Sequence, residues 1–281
     1  MNEPVIIDAI RTPVGRNRGA LRNITPEELY AGLIGEMLKR TGIDGDKIDD
    51  VITGCVTQYG EQGANIGRLA VLLSPLPSSV PAVTLNRMCG SSQQAVHFAA
   101  QSIAAGDAGY VLAGGVESMT RVPMFSDIKG GLENLNPGIG SKYELIHQGE
   151  SAERIAEKYG LAREELDRFA FESHTKAARA IMSGFFREQI IPVEGADADG
   201  NPFVLVYDEG VRLKPDLERM SSLSPVFREG GVITAANSSQ ISDGAALLLI
   251  ADKERAEADG LSPRARIRAR VVLGGDPTMQ L

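Results

Sequence analysis

Cys89 is the residue in this sequence whose type and setting best suit nucleophilic chemistry. It lies in the polar segment NRMCGSS (residues 86–92), between an apolar run of strand length (residues 80–85) and a stretch of helical periodicity. A cysteine at a helix N-terminus lies close to unpaired backbone N–H groups and to the positive end of the helix dipole, which favour a thiolate. Gly90 allows a bound group to approach the backbone closely, and the two serines that follow are suited to cap the helix. The pattern therefore predicts a cysteine nucleophile at a strand-to-helix turn.

The alternative for Cys89 is a small buried hydrophobic residue, which is the usual role of a cysteine beside apolar neighbours. The glycine and serines after it suit a turn better than a packed core. The other cysteine, Cys55, lies within an apolar run at residues 50–56, and we interpret it as a core residue. Two cysteines are too few for a disulfide framework, and their spacing is not that of metal ligands, so no metal site is expected.

The elements that must position Cys89 follow from hydrophobic periodicity. Apolar side chains from Ala95 to Ala104 lie on one helical face, and Gly106 is suited to end that helix. Further strands are predicted at residues 5–9, 50–56, 110–114 and 245–250, and further helices at residues 26–41, 65–73 and 253–259. Strands that alternate with helices favour an α/β fold with a mainly parallel sheet covered by helices on both faces.

A second region differs in composition and periodicity. Residues 127–141 are rich in glycine, asparagine and proline, and two helices are predicted after them at residues 150–159 and 163–182, with short strand candidates near Ile190 and Val204. We interpret this region as an inserted α+β loop domain. The predicted domains are residues 1–120 with 231–262, the insertion at 121–230, and the start of a further αβ domain at 263–281, opened by a strand at 264–273. Left unpaired, that strand is expected to promote association.

Three long blocks carry a resemblance to a known family. The segments NRMCGSSQQAVHFAAQSIAAGD, VLAGGVESMTRVPM and GGVITAANSSQISDGAALLLIAD occur in this order, and RTPVG follows the first predicted strand. The sequence resembles the thiolases, which include acetyl-CoA acetyltransferases and 3-ketoacyl-CoA thiolases. The resemblance implies a thiolase-like fold of two similar αβ halves and a loop domain that covers the active site and binds coenzyme A. It implies that this sequence holds the first half, the loop domain and the opening strand of the second half.

The resemblance also assigns roles to particular residues. Cys89 matches the cysteine that is acylated by acyl-CoA. His147, Arg212, Phe227 and Ser239 match positions that contact coenzyme A, which is a substrate here and not a permanently bound cofactor. Arg212 is suited to a phosphate or the adenine face, and Phe227 to the pantetheine arm. The residues alone leave an alternative open for each: Arg212 as a solvated surface charge, and Phe227 as an aromatic side chain of the core.

Three motifs that the resemblance implies do not occur in the 281 residues: a GHP motif whose histidine activates the cysteine, a second C-x-G motif that supplies an acid/base, and an NEAF-type motif for the oxyanion hole. The histidines are His97, predicted on the polar side of the cysteine helix, His147, and His174, predicted to be exposed. Because carbon–carbon bond formation needs a base and donors for the enolate oxygen, we expect this chain alone to be inactive or incomplete in that step.

The expected function is reversible thiolysis of a 3-ketoacyl-CoA, or condensation of an acyl-CoA with acetyl-CoA, through acyl-Cys89. One alternative is a related cysteine condensing enzyme, against which GGVESM and TAANSS argue. A second is a non-catalytic acyl-CoA-binding or partner subunit. Within GGVESM, Glu117 and Ser118 either act near the cysteine or satisfy backbone groups in a turn, and we interpret them in the second way.

Composition excludes several classes of partner. The net charge of −8 argues against nucleic acid as a general partner, and no apolar run approaches the length of a membrane span. The N-terminal segment starts acidic and continues into a strand pattern, which is not typical of a signal peptide. We therefore expect a cytoplasmic protein that acts on acyl-CoA. The resemblance implies a homo-oligomer, either a dimer or a tetramer.

Overall fold

A computed structural model describes residues 2–281 of the chain. The chain divides into two compact units, each built from three segments. The first unit comprises residues 2–127, Phe186–Glu209 and Ile241–Val271, and the second comprises Ile128–Phe185, Gly210–Gln240 and Val272–Leu281. These bounds differ from those of the predicted domains, since residues 186–209 pack with the first unit and residues 272–281 with the second.

The strands all belong to the first unit. They are β1 (Pro4–Arg11), β2 (Gly15–Arg16), β3 (Asp50–Gly54), β4 (Ala82–Leu85), β5 (Tyr110–Ser118), β6 (Val193–Ala196), β7 (Pro202–Leu205), β8 (Ser242–Asp252) and β9 (Ala265–Arg266). The α-helices of this unit are α1 (Pro26–Thr41), α2 (Ile66–Leu73), α3 (Ser91–Ala105) and α8 (Lys253–Ala258). The second unit holds α4 (Pro137–Gly140), α5 (Gln148–Tyr159), α6 (Arg163–Met182) and α7 (Leu217–Ser221).

The main sheet has the strand order β4-β3-β5-β8-β1-β9, with β2 paired to β8 at its side. Strands β4, β3 and β5 are parallel neighbours, whereas β8 runs antiparallel to both β5 and β1. The α/β class and the common direction of β1, β3, β4 and β5 confirm the prediction, although the sheet is mixed. The connection from β5 to β8 is long enough for either strand direction, so its length does not determine that β8 runs antiparallel.

Helices cover both faces of this sheet, as predicted. On one face, α1 and α2 bury Leu33, Met37 and Val71 against strand residues such as Leu112 and Leu247. On the other face, α3 packs its alanines and Ile103 against the strand side chains that point to that face. These are Ile52, Val111, Ala113 and Ile250. The two-residue alternation along each strand thus supplies one apolar layer to each set of helices.

Local signals explain why several helices begin and end where predicted. Thr25 caps α1 and forms a capping box with Glu28, and Pro26 occupies the first helical position. Gly106 ends α3 with a φ of 89°, a left-handed conformation that glycine adopts without strain. In the second unit, α6 has the predicted bounds, and its first turn is acidic, as the helix dipole favours.

Several strand predictions are wrong in extent, since β1 and β8 extend beyond residues 5–9 and 245–250 and β3 ends at Gly54. Strand β5 does not end at Gly114 but continues to Ser118, since Gly114 and Gly115 lie within the sheet. The C-terminal strand covers only Ala265–Arg266 and pairs with β1, not with a second sheet. The apolar residues 271–273 are exposed, since only Ala265 and Arg266 pair with the edge of β1. Within residues 2–281, no helix combines the length and apolar character needed to cross a membrane.

Candidate functional site

Cys89 lies between the end of β4 and the start of α3, and it is an exposed, free cysteine. The predicted strand-to-helix turn is therefore present, and the alternative of a buried core residue is wrong. The N-cap position of α3 is Gly90, which carries no capping side chain. The thiol is accessible to a reactant at the positive end of a helix of 15 residues.

The turn that carries Cys89 is held by side chains of its own segment. The Asn86 Oδ1 accepts a hydrogen bond from the Met88 backbone N–H at 2.7 Å. The Ser91 hydroxyl accepts from the Arg87 N–H at 2.9 Å and donates to the Met88 carbonyl at 2.6 Å. The expectation that a serine caps the helix is therefore wrong, since Ser91 uses its hydroxyl to close the preceding turn and no side chain caps the helix at Gly90.

Two glycines allow the first turn of α3 to lie directly on the sheet. Gly54 and Gly115 are paired neighbours on β3 and β5. A Cβ atom built on Gly54 would overlap the backbone of Ser91 and Ser92, and one built on Gly115 would lie 2.8 Å from the Ser92 Cβ. The helix start is thus set at a depth that only glycine permits on these strands.

Glu117 anchors the loop that follows β3. Its carboxylate accepts hydrogen bonds from the Val56 N–H at 2.8 Å, the Thr57 N–H at 3.2 Å and the Gln62 side-chain amide at 2.8 Å. Glu117 lies in β5 and not in a turn, but the interpretation that it satisfies backbone groups is confirmed. The neighbouring Ser118 hydroxyl is fully buried and donates to Asp243.

Cys55 has the opposite character to Cys89. It follows β3 at 1% exposure within the main core cluster, which confirms the prediction of a core residue. Burial, and next the negative charge of Glu117, raise the pKa of the Cys55 thiol. The thiol is therefore neutral and shielded, which is the wrong state for a nucleophile.

The histidines His97 and His174 differ from their predictions. His97 on α3 is only 7% exposed, so the prediction that it lies on a polar face is wrong, and its Nδ1 has no hydrogen-bond partner within residues 2–281. His174 on α6 is half-buried, not exposed, and its Nδ1 accepts a hydrogen bond from the Arg212 backbone N–H at 3.1 Å. Burial, and next the charge of Arg212, lower the pKa of His174.

The four residues matched to coenzyme A contacts all belong to the second unit, and all four are exposed. The structure brings two of them together: the rings of His147 and Phe227 stack with centroids 5.2 Å apart and planes 25° apart. His147 also caps α5, since its Nδ1 accepts from the Gly149 N–H, and Phe227 lies against Gly149 where a Cβ atom would overlap its ring. Arg212 lies beside His174, and Ser239 lies in the segment before β8.

Sequence reasoning missed Asn86, Gly54 and Gly115 as parts of the site. The Asn86 Nδ2 donates to the Val56 carbonyl at 2.8 Å, which links the Cys89 turn to the loop held by Glu117. The signal for Asn86 was present, since an asparagine that accepts from the N–H two residues later is a common turn device. In the described part of the chain, no three histidine, cysteine, aspartate or glutamate side chains come together to hold a metal ion.

Comparison with known proteins gives consistent matches over almost the whole chain. Residues 4–254 match the family model described as thiolase, N-terminal domain. The chain is 45% identical over 284 residues to 3-ketoacyl-CoA thiolases of Citrobacter koseri and Klebsiella pneumoniae, covering 99% of this chain and 72% of each relative. The crystal structure of the Bacillus anthracis acetyl-CoA acetyltransferase superposes with a TM-score of 0.89 at 36% identity, over 99% of this chain and 73% of that one.

Proposed function

This chain belongs to the thiolase family, and on that basis we propose that it transfers acyl groups between coenzyme A thioesters through a thioester formed on Cys89. The observation that carries the proposal is the exposed Cys89 thiol at the start of α3, in a turn fixed by hydrogen bonds on both sides. A thiolate in this position attacks the thioester carbonyl of an acyl-CoA, the carbon–sulfur bond to coenzyme A breaks, and the acyl group remains on the Cys89 sulfur. Coenzyme A leaves as its thiolate and takes up the proton that the Cys89 thiol released.

The substrate class that the relatives' names support is a 3-ketoacyl-CoA. In that direction the Cys89 thiolate attacks the C3 carbonyl carbon, the C2–C3 bond breaks, and C2 takes up a proton to give acetyl-CoA. The thiol of a second coenzyme A then accepts the acyl group from Cys89 and gives up its proton, which restores the free enzyme. The proton transfer at C2 needs an acid/base, which the family resemblance assigns to the C-x-G motif, and activation of Cys89 is assigned to the histidine of the GHP motif; these 281 residues contain neither motif.

Coenzyme A binding is the proposed role of the second unit. The stacked rings of His147 and Phe227 offer a flat, partly apolar surface, with Phe227 38% exposed, that suits the pantetheine arm or the adenine ring. Arg212 supplies an exposed guanidinium for a phosphate, and Ser239 an exposed hydroxyl. We propose residues 128–185 and 210–240, which pack as one unit, as the coenzyme-binding part of the predicted insertion at 121–230, without residues 186–209, which pack with the first unit.

Replacing Phe227 by alanine tests this binding surface. Removal of the ring deletes the stack with His147, so we expect the dissociation constant for coenzyme A to rise about 5- to 10-fold, as for a lost aromatic contact. Isothermal titration with coenzyme A measures the change. Phe203, an aromatic residue of similar exposure on β7 in the other unit, is the matched control, and Phe203→Ala should bind as the wild type does. Equal affinity of Phe227→Ala and wild type would remove Phe227 from the site.

Intact-protein mass spectrometry after brief exposure to acetyl-CoA tests the nucleophile. We expect one acetyl group, mapped to Cys89 by peptide analysis and absent from Cys89→Ser. Acetyl transfer to Cys55, or coenzyme A binding without any acetylation, would contradict the proposal. The second result would favour the alternative of a binding subunit without turnover.

A further inference from the structure

Asn86 makes two hydrogen bonds that join separate parts of the molecule. Its Oδ1 accepts from the Met88 N–H at 2.7 Å, within the turn that carries Cys89. Its Nδ2 donates to the Val56 carbonyl at 2.8 Å, 30 positions earlier in the chain. The side chain is therefore the direct polar link between the Cys89 turn and the loop after β3.

The Val56 end of this link is itself fixed. The Val56 N–H and the Thr57 N–H both donate to the Glu117 carboxylate, and the Gln62 amide donates to the same group. Gln62 is fully buried, and its Oε1 accepts from the Ser118 N–H at 2.6 Å. Each end of the loop is thus tied to β5, a central strand of the sheet.

The turn needs such a tie because its backbone is strained. Met88 has a φ of 47°, in the left-handed region that side chains other than glycine and asparagine rarely adopt. Such a conformation is strained and persists only where surrounding contacts hold it. The Met88 N–H is held by Asn86 and its carbonyl by Ser91. Met88 is the residue directly before Cys89, so its backbone dihedral angles help to determine the direction in which the Cys89 side chain points.

We propose that Asn86 is a positioning residue for Cys89, holding the strained Met88 turn in register with the loop that Glu117 anchors. The inference rests on the proposed role of Cys89 as nucleophile. Thioester attack requires the sulfur to meet the carbonyl carbon along a narrow approach, and a misplacement of about 1 Å can cost about 100-fold in rate. Alkylation by iodoacetamide, a small freely diffusing reagent, makes no such demand on a binding site.

The test compares Asn86→Ala and Asn86→Ser with wild type in the full chain. For Asn86→Ala we expect acetylation of Cys89 by acetyl-CoA to slow about 10- to 100-fold, while alkylation by iodoacetamide changes by less than about 3-fold. Serine can still accept from the Met88 N–H but cannot reach Val56, so Asn86→Ser should fall between alanine and wild type. Asn65→Ala is the control: Asn65 caps α2 and donates to the Ala82 carbonyl at 3.0 Å, and its hydrogen bonds with Ala82, Arg68 and Thr84 all lie outside the Cys89 turn.

A second variant, Glu117→Gln, separates positioning from electrostatics. Removing a negative charge would by itself favour a thiolate and speed acetylation, whereas loosening the Val56 loop should slow it. We expect a decrease of about 3- to 30-fold, smaller than for Asn86→Ala because the tie is indirect. Faster acetylation of Glu117→Gln would overturn its positioning role.

The outcomes separate the two proposals. If wild type is acetylated at Cys89 and Asn86→Ala is acetylated at the same rate, the positioning proposal is wrong and the proposed function stands. If acetylation and alkylation fall together in Asn86→Ala and equally in Asn65→Ala, Asn86 is only structural and the proposal is again wrong. If wild type itself is not acetylated at Cys89, the proposed function fails, and the role of Asn86 fails with it.

Discussion

Cys89 and Cys55 differ in exposure and in the charged groups beside them, although each lies in a segment that follows a strand. Cys89 is exposed at a helix start, whereas Cys55 is buried beside the carboxylate of Glu117, and burial and that carboxylate raise the pKa of its thiol. A neutral, shielded thiol does not react with electrophiles at a useful rate. The two thiols should therefore differ in reactivity by a large factor in the folded chain.

We expect iodoacetamide to label Cys89 and to leave Cys55 unmodified in the folded protein, even in mildly alkaline buffer. Unfolding in guanidinium chloride should make both cysteines react, because the burial that protects Cys55 is then lost. Peptide mapping by mass spectrometry measures the labelled fraction at each position. Labelling of Cys55 in folded protein at a rate comparable to that of Cys89 would contradict the structure.

His174 should make the stability of the chain depend on pH. Burial and the charge of Arg212 lower its pKa in the folded state, so the unfolded chain binds the proton more readily. The free energy of unfolding should therefore fall as the pH drops below about 6.5, the ordinary pKa of histidine. His174→Gln should flatten this dependence between about pH 5 and pH 7. Urea unfolding of wild type and His174→Gln across that pH range measures the free energy of unfolding of each. If it depends on pH equally in the two proteins, other groups are responsible.

The chemistry of single residues could be predicted where its signals are local. Gly90 and the serines after Cys89 indicated a turn, and the apolar neighbours of Cys55 indicated a core residue. Asn86 was missed because its partner Val56 is 30 positions away, on a loop whose position depends on the whole sheet. His97 was missed for a similar reason, since the periodicity of α3 does not show what covers its second face.

Among the elements, the contact between α3 and the sheet depends most directly on residue size. Gly54 lies where any side chain would meet the backbone of Ser91 and Ser92. Backbone cannot yield as a flexible side chain does, so we expect Gly54→Ala to destabilise the chain by about 1–3 kcal/mol, as for overpacking of a core. It should also slow acetylation of Cys89 by displacing the start of α3.

Gly32 supplies the control for that prediction. It lies in the middle of α1, is exposed, and has no neighbouring atom within 4 Å of a built Cβ atom. Gly32→Ala should therefore stabilise the chain by about 0.5–1 kcal/mol, through the higher helix propensity of alanine. Denaturant unfolding of both variants measures the two free energies. A neutral Gly54→Ala would show that α3 can shift without cost.

Helices marked by capping residues in their own sequence could be predicted. Features that depend on which strand pairs with which could not. The capping box at Thr25 and the acidic first turn of α6 marked helices within their own sequence. The direction of β8 is a tertiary property, because its apolar run suits either orientation between β5 and β1. The sequence pattern of Gly114 and Gly115 is typical of a strand end, but in the structure both glycines lie inside the sheet and allow close approach of Ala246 and of α3.

For the whole molecule, the open edge of the sheet at β4 bears on association. β4 is one of the two outermost strands of the main sheet, and Val83 on it is 45% exposed. Helix α2 packs beside β4 and exposes Leu72 and Leu73, at 55% and 58%. An exposed apolar strand edge favours pairing with another chain, and we propose that a second copy covers it, in line with the homo-oligomer that the family resemblance implies.

Sedimentation velocity should therefore show a dimer or larger assembly for wild type. Val83→Lys places a charge on the edge strand, a common way of blocking such pairing, and should raise the dissociation constant at least about 10-fold. Val271→Lys, at an exposed apolar position beyond β9, is the control and should leave the assembly unchanged. A monomeric wild type, or dissociation caused only by Val271→Lys, would place the contact elsewhere or exclude it.

The position of β8 between β5 and β1 has a consequence for synthesis on the ribosome. β8 ends at Asp252, 134 residues after β5 ends at Ser118. At about 5–20 residues per second, roughly 7–27 s pass before the strand that joins the two exists. Until then β1 has neither of its sheet neighbours, since β9 is made later still. The nascent chain thus exposes one edge of β5 and both edges of β1 for many seconds, and we expect chaperones that bind extended hydrophobic segments to associate with it.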